Sequence, residues 1–258
     1  MSNKIKLSVI SAMHYFKLVY RSLLFAVAFI YWTLEKINGI ESPFEDVEHR
    51  AFILAVIWIV FVVEMILRFF PSKTESMGCQ KQFKKNYIPT GEKTPERMSW
   101  KRTLAVASVW LLLNAIIGAL YLLGVYDGGI LILVSLLYAV CDMICILFFC
   151  PFQTWFMKNK CCTTCRIYNW DYAMMFTPLV FINNVFARSL FILSIILLVE
   201  WEVLYKLFPE RFVENCNSSL SCANCQEKLC HHKKQLRHFL KNGKFNLKGN
   251  AIFKRRDK

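Results

Sequence analysis

Residues 130–149 read ILILVSLLYAVCDMICILFF, a run in which Asp142 is the only charged side chain. A helix of about 20 apolar residues is long enough to cross the hydrocarbon core of a bilayer, which is about 30 Å thick. Three further stretches have the same character, and we predict membrane-spanning helices over residues 12–34, 51–70 and 103–126. Because the apolar stretches are continuous rather than alternating, they indicate helices and not a β-barrel. The predicted fold class is therefore all-α, a polytopic integral membrane helical bundle.

The composition agrees with a membrane protein. Hydrophobic residues make up 56% of the chain and charged residues 19%, whereas soluble domains average about 45–50% and about 25%. Such a chain is neither intrinsically disordered nor of low complexity. The formal net charge of +14 must then be explained by the positions of the basic residues.

The last apolar region, residues 172–208, is longer than one crossing requires. Pro178 lies in its first half, and Asn183, Asn184 and Arg188 interrupt it near the middle. Three interpretations stay open: a single span, a hairpin with arms over 172–182 and 190–208, or a re-entrant segment. Residues 1–208 are predicted to form the transmembrane domain, and residues 209–258 a cysteine-rich, basic tail.

The basic residues alternate between connectors. Residues 1–21 carry four Lys and Arg, 68–102 nine, 151–171 three and 206–258 thirteen, whereas 35–50 carry two and 124–129 none. Connectors rich in Lys and Arg stay in the cytosol. We therefore predict a multi-pass protein of the cell membrane with a cytosolic N-terminus. A hairpin or re-entrant segment over 172–208 also keeps the basic tail in the cytosol.

Eight of the eleven cysteines fall into two groups. The connector group is Cys150, Cys161, Cys162 and Cys165, and the tail group is Cys216, Cys222, Cys225 and Cys230, followed by His231 and His232. Each group contains a Cys-x2-Cys pair, and two such pairs can supply four thiolates to one tetrahedral zinc ion.

The predicted metal ligands are Cys162, Cys165, Cys222 and Cys225. Six further residues are alternates: Cys150, Cys161, Cys216, Cys230, His231 and His232. The cofactor is zinc or an iron–sulfur cluster, since both use the same thiolates. Disulfides and scattered thiols remain alternatives. Cys141 and Cys145, four residues apart in an apolar helix, are interpreted as small hydrophobic residues.

A shared metal site requires the connector and the tail to lie on one face of the membrane, and the charge pattern independently favours the cytosolic face. The basic tail is also suited to anionic lipid headgroups, a contact worth about 1 kcal/mol for each basic residue near the surface. This contact accounts for its charge without nucleic-acid binding. A protein partner or homo-oligomer is compatible with the sequence.

Four of the polar residues within the apolar stretches are candidates for a functional role: Glu64, Asn114, Asp142 and Arg188. Charges at membrane depth are costly, so they tend to face the bundle interior. Asp142 is the best candidate for a carboxylate that contacts an ion or solute. We expect Glu64 to pair with Arg68 four residues later and Arg188 to pair with Asp142, while Lys17 and Arg21 extend to the headgroups.

Three functions follow from these patterns. The first is a non-catalytic or regulatory membrane protein with a cytosolic, cysteine-rich metal-binding cap. The second is a small transporter or channel for an ion or solute that uses Asp142. The third is a membrane thiol-redox enzyme with a reactive thiolate among Cys161, Cys162 and Cys165. The sequence does not decide whether the protein is an enzyme, although it favours a non-catalytic role.

Overall fold

The structure, a computed structural model, describes residues 9–39, 47–71, 77–92, 94–96, 99–159 and 161–225. These residues form helices and turns and contain no β-strand. The α-helices of these segments are α1 (Val9–Ile37), α2 (Val47–Phe69), α3 (Met77–Gln82), α4 (Trp100–Leu122), α5 (Gly128–Leu147), α6 (Asp171–Phe176) and α7 (Val185–Leu207). The predicted all-α class is confirmed for this part of the chain.

Three helices are long and apolar enough to cross a membrane: Ala12–Ile37 within α1, α4 and α5. They correspond to the predicted spans 12–34, 103–126 and 130–149. Helix α2 covers the fourth predicted span, 51–70, and a crossing there stays a prediction. The chain is thus a helical protein with three candidate membrane spans in its described residues.

The helices pack as two pairs around a short central segment. Helix α1 lies against α5, and α2 lies against α7. Between these pairs, α6 and the 3₁₀ turn Thr177–Phe181 contact both α5 and α7. Phe176 of α6 packs edge-on against Phe61 of α2 with ring centroids 5.1 Å apart. The short segment therefore fills the centre of the bundle.

The region 172–208 is broken at the predicted position. Helix α6 and the turn after it end at Phe181, and α7 begins at Val185. Asn184 stabilises this start, because its side chain accepts a hydrogen bond of 2.8 Å from the amide of Phe186. Residues 171–181 extend for no more than about 20 Å even at the 3₁₀ rise, which is short of a full crossing.

Three segments that are distant in the sequence pack together beside one end of the bundle. They are residues 77–96, 150–170 and 208–225, and we call them the cysteine-rich cap. Asn217 is fully buried and donates hydrogen bonds to the carbonyls of Lys81 (3.0 Å) and Arg211 (2.8 Å). Gln82 donates to the carbonyl of Thr163 (3.3 Å) and accepts from Asn169 (2.6 Å). Two consecutive residues of α3 thus hold the other two segments.

Candidate functional site

Arg21 of α1 is the centre of a buried ion-pair network. Its side chain is almost completely buried. Nη2 donates to Oε2 of Glu64 at 2.7 Å, and Nη1 donates to Oδ2 of Asp142 and to the carbonyl of Ala139, both at 3.0 Å. Lys17, one turn earlier, places Nζ 3.4 Å from Oε1 of Glu64. These contacts join α1, α2 and α5.

A second ion pair extends this network to α6. Arg68 of α2 binds Asp171, and the hydroxyl of Tyr172 donates to Oε2 of Glu64 at 3.0 Å. The Arg21 and Arg68 guanidinium carbons lie 5.9 Å and 5.1 Å from the centre of the Tyr172 ring. We call the six charged residues the charge cluster: Lys17, Arg21, Arg68, Glu64, Asp142 and Asp171.

The charge cluster is formally neutral and lies toward the end of the bundle that carries the cysteine-rich cap. It contains three basic and three acidic side chains, so each buried charge has an opposite charge nearby. Glu64 and Asp142 are each five residues from the last residue of their helix, which is about 8 Å along the axis. Asp142 is therefore closer to the helix end than its position in the apolar stretch indicates.

Two of the predicted contacts are wrong. Arg188 is exposed on α7, and Asp142 pairs with Arg21 instead. Arg21 does not extend to the headgroups, because two carboxylates and a carbonyl bind it inside the bundle. The sequence contains a signal for this burial. Arg21 lies twelve residues after Val9, the first residue of α1, which is too far from the helix start for its side chain to reach the headgroups there.

Asn114 is buried and is held within its own helix. Its side-chain amide donates to the carbonyl of Trp110, one turn earlier, at 2.9 Å. Trp110 in turn donates to the hydroxyl of Thr177 at 3.3 Å. Asn114 therefore lies on the side of α4 that faces the turn Thr177–Phe181.

The connector cysteines lie around Gln153. The Cys162 thiol donates to Oε1 of Gln153 at 2.9 Å, and the backbone N–H of Gln153 donates to Sγ of Cys150 at 3.4 Å. The Cys165 amide donates to the carbonyl of Cys162 at 3.0 Å, which closes the turn of the Cys-x2-Cys pair. Cys162 and Cys165 line a cavity of about 260 Å³ beside α4 and α5.

Cys222 of the tail lies near Cys161 of the connector. Burial raises the pKa of the Cys222 thiol, and the nearby Cys161, Glu214 and Cys225 raise it further. The amide of Cys225 donates to the carbonyl of Cys222 at 3.3 Å, so the second Cys-x2-Cys pair also forms a turn. Cys216 is fully buried, and its carbonyl accepts from the amide of Thr90 at 3.2 Å.

Within the described segments, no three His, Cys, Asp or Glu side chains are grouped closely enough to hold a metal ion. None of the ten cysteines in these segments forms a disulfide. The alternates Cys230, His231 and His232 lie outside the described residues. The two cysteine groups are thus adjacent, but no complete ligand set lies within residues 9–225 as described.

The acidity of the connector thiols bears on the redox alternative. Burial raises the pKa of Cys165 to about 12, so this side chain is a neutral thiol at pH 7. A nucleophilic cysteine needs the opposite shift, because the thiolate is the reactive form. The environment of Cys165 therefore does not favour thiol-redox catalysis at this residue.

A second cavity, of about 180 Å³, is lined by polar residues of the cysteine-rich cap and the end of α7. Arg166 binds the Glu202 carboxylate through both guanidinium nitrogens, and the Trp170 indole donates to the same carboxylate at 2.6 Å. The Arg166 guanidinium carbon lies 3.7 Å from the centre of the Tyr205 ring.

The chain matches no known protein-family model, no curated protein and no solved structure. Its own geometry therefore carries the functional argument.

Proposed function

We propose that this protein is a multi-pass membrane protein whose cysteine-rich cap lies on the cytosolic side and binds a thiophilic metal ion, with a regulatory or structural and not a catalytic role. The single observation that carries the proposal is the proximity of Cys161 in the connector to Cys222, the first residue of the tail Cys-x2-Cys pair. Some sixty residues separate these cysteines in the sequence, yet α3 holds their two segments side by side.

The distribution of basic residues supports a cytosolic position for the cysteine-rich cap. Its segments come from the connectors around residues 68–102 and 151–171 and from the tail, which are the Lys- and Arg-rich segments. A reducing cytosol keeps thiols available as ligands. The basic residues of the tail contact anionic lipid headgroups in this arrangement.

The chemistry of the tail supports zinc as the metal. Cys222 and Cys225 form a turn of the kind that places two thiolates on one ion. We propose that Cys161 or Cys230 adds a third ligand and that His231 or His232 completes the tetrahedron. An iron–sulfur cluster uses the same thiolates and differs in its visible absorbance.

Metal analysis of the full-length protein, purified in detergent without chelators, tests the proposal. We expect about one zinc, or the visible absorbance of an iron–sulfur cluster, and a loss of that metal in the double variant C222S/C225S. C141S is the matched control, because Cys141 is exposed on α5 and lies outside the cysteine-rich cap. A folded, metal-free wild-type protein contradicts the proposal.

The charge cluster favours a second candidate, a small transporter or channel for an ion or solute. Ionisable residues within membrane helices commonly serve such pathways, and Asp142 and Asp171 line the cavity of about 260 Å³. Uptake of a panel of ions and small solutes into proteoliposomes tests it. We expect D142N to abolish any flux that the wild type supports, and E96Q, at an exposed carboxylate of the cysteine-rich cap, to preserve it. An absence of wild-type flux removes this candidate.

A further inference from the structure

The cavity of about 260 Å³ between α4, α5 and residues 150–170 has an unusual concentration of thiols. Its lining includes five of the ten described cysteines: Cys141, Cys145, Cys150, Cys162 and Cys165. The remaining wall is largely apolar and includes Trp110, whose ring lies 4.6 Å from Tyr138 and 6.0 Å from Phe152 between centroids. Half of the described thiols thus face one apolar space beside the bundle.

Local structure brings these thiols together. Cys141 and Cys145 are one turn apart on α5. Helix α5 ends at Leu147, and the amide of Phe149 turns back to the carbonyl of Ile144 at 3.1 Å. This turn returns Cys150 to the end of α5, where its side chain and that of Cys145 line the same cavity. Pro151 then opens the π-helical turn Phe152–Met157.

Gln153, in this turn, links the thiol pair to the connector. Its backbone N–H donates to Sγ of Cys150, and its side-chain oxygen accepts from the Cys162 thiol. Gln153 therefore contacts the thiols of Cys150 and Cys162, and Cys145 lines the same cavity. This arrangement differs from a closed tetrahedral zinc site, which needs four ligands around one point.

The side chains that line the cavity limit which metal ions it can bind. Thiols are soft donors and select soft metal ions such as Cu(I) over the hard cations that prefer oxygen. The two carboxylates on the cavity wall are not available to a hard cation, because Arg21 binds Asp142 and Arg68 binds Asp171. Cu(I) accepts two thiolates in a linear arrangement, whereas zinc in structural sites requires four ligands.

We propose that Cys145 and Cys150 bind a monovalent soft cation, Cu(I), in this cavity, which Cys162 also lines. Two thiols and one Cu(I) ion give one bis-thiolate complex of net charge −1 and release two protons to the solvent. This site is separate from the proposed zinc ligands and does not depend on them.

Competition with a chromogenic Cu(I) chelator tests the inference. Full-length protein in detergent, reduced and kept free of oxygen, is titrated into the Cu(I)–bicinchoninate complex, and the loss of its absorbance is followed. We expect the wild type to remove about one more equivalent of Cu(I) than C145S/C150S. The matched control is C222S/C225S, which is expected to bind as much Cu(I) at this site as the wild type. C145S/C150S is expected to retain its zinc. The experiment can therefore contradict the Cu(I) site without contradicting the zinc site, and the reverse.

A second measurement uses the wild type and does not depend on the folding of a variant. Ag(I), a stable analogue of Cu(I), is added before alkylation with N-ethylmaleimide in mild detergent, and modified cysteines are counted by mass spectrometry. Protection of both Cys145 and Cys150 supports the site. Equal Cu(I) uptake by wild type and C145S/C150S overturns the proposal. Alkylation of Cys145 and Cys150 that Ag(I) does not change also overturns it, and so does a Cys145–Cys150 disulfide in the purified protein.

Discussion

Arg21 of α1 and Glu64 of α2 form a buried ion pair in which Nη2 and Oε2 are 2.7 Å apart. Asp142 of α5 binds the same guanidinium, so one side chain fixes the relative position of three helices. Charges that leave water are stable only when partners replace the lost hydration, and here two carboxylates and a carbonyl do so. The pair is therefore a determinant of bundle geometry as well as part of a candidate site.

Replacing Arg21 with methionine is expected to destabilise the bundle by about 3–5 kcal/mol, because Glu64 and Asp142 then keep buried charges without their main partner. Thermal unfolding in detergent, followed by tryptophan fluorescence, measures this effect. The control is K36A, which removes a basic residue of the same helix that pairs with Asp127 at 2.6 Å and is partly exposed. It is expected to cost about 1 kcal/mol or less. Equal losses for both variants contradict the prediction.

Gly118 of α4 is required where this helix meets the turn Thr177–Phe181. A Cβ atom at residue 118 would lie 2.1 Å from the Phe181 ring. G118V is therefore expected to cost about 1–3 kcal/mol through overpacking. The same unfolding assay measures it, and A119V, at the exposed next position, is expected to be nearly neutral. A double-mutant cycle with F181A checks the cause: absence of coupling between the two sites contradicts the steric explanation.

Asn217 holds the cysteine-rich cap closed. The Asn217 side-chain amide donates hydrogen bonds to the carbonyls of Lys81 and Arg211. Both hydrogen bonds are lost in N217A, so each carbonyl loses a partner. We expect local opening that exposes Cys216, which is fully buried in the wild type. The measurement is the rate of maleimide labelling at Cys216 by mass spectrometry, expected to rise at least several-fold. N224A is the matched control, since the Asn224 side chain donates to the carbonyl of Ser218 in an exposed position. Unchanged labelling in N217A argues against the clamp.

The raised pKa of Cys165, about 12, predicts a dependence of stability on alkaline pH. The folded protein keeps this thiol protonated between its ordinary pKa near 9 and about 12, whereas the unfolded chain ionises it. Its contribution to stability is therefore complete below about pH 9 and is lost as pH rises toward 12. Unfolding temperatures from pH 8 to 11 are expected to fall more steeply for the wild type than for C165S. Parallel curves would show that Cys165 is not buried as a neutral thiol.

The position of the tail relative to the membrane is open to a direct test. A C-terminal fusion to a reporter that is active only in the cytosol is expected to be active, because the tail is basic and its first part packs in the cysteine-rich cap. An N-terminal fusion provides the comparison and is expected to behave in the same way. A tail on the opposite side separates the two predicted metal-binding segments and removes the basis of the proposed zinc site.

Much of the architecture followed from local sequence. The run at residues 130–149 predicts α5, and Asn183-Asn184 predicts the break before α7. The connection of the two cysteine groups was also predicted, but through Cys162 and Cys165, whereas Cys161 is the connector residue that lies near Cys222. Which of three neighbouring cysteines faces the tail depends on how Gln82 and Gln153 orient the turn, and no spacing rule contains that information.

The sequence by itself determined the helices and the candidate spans, because the bilayer demands length and apolar composition, which are properties of contiguous residues. Only the tertiary structure decided the partners of the buried charges and the set of thiols that share a cavity. Arg21 meets Glu64 and Asp142 across 43 and 121 positions of the chain. Several pairings of opposite charges are compatible with the same sequence. The packing of the helices decides which of these pairs form, because it sets which side chains lie within contact distance.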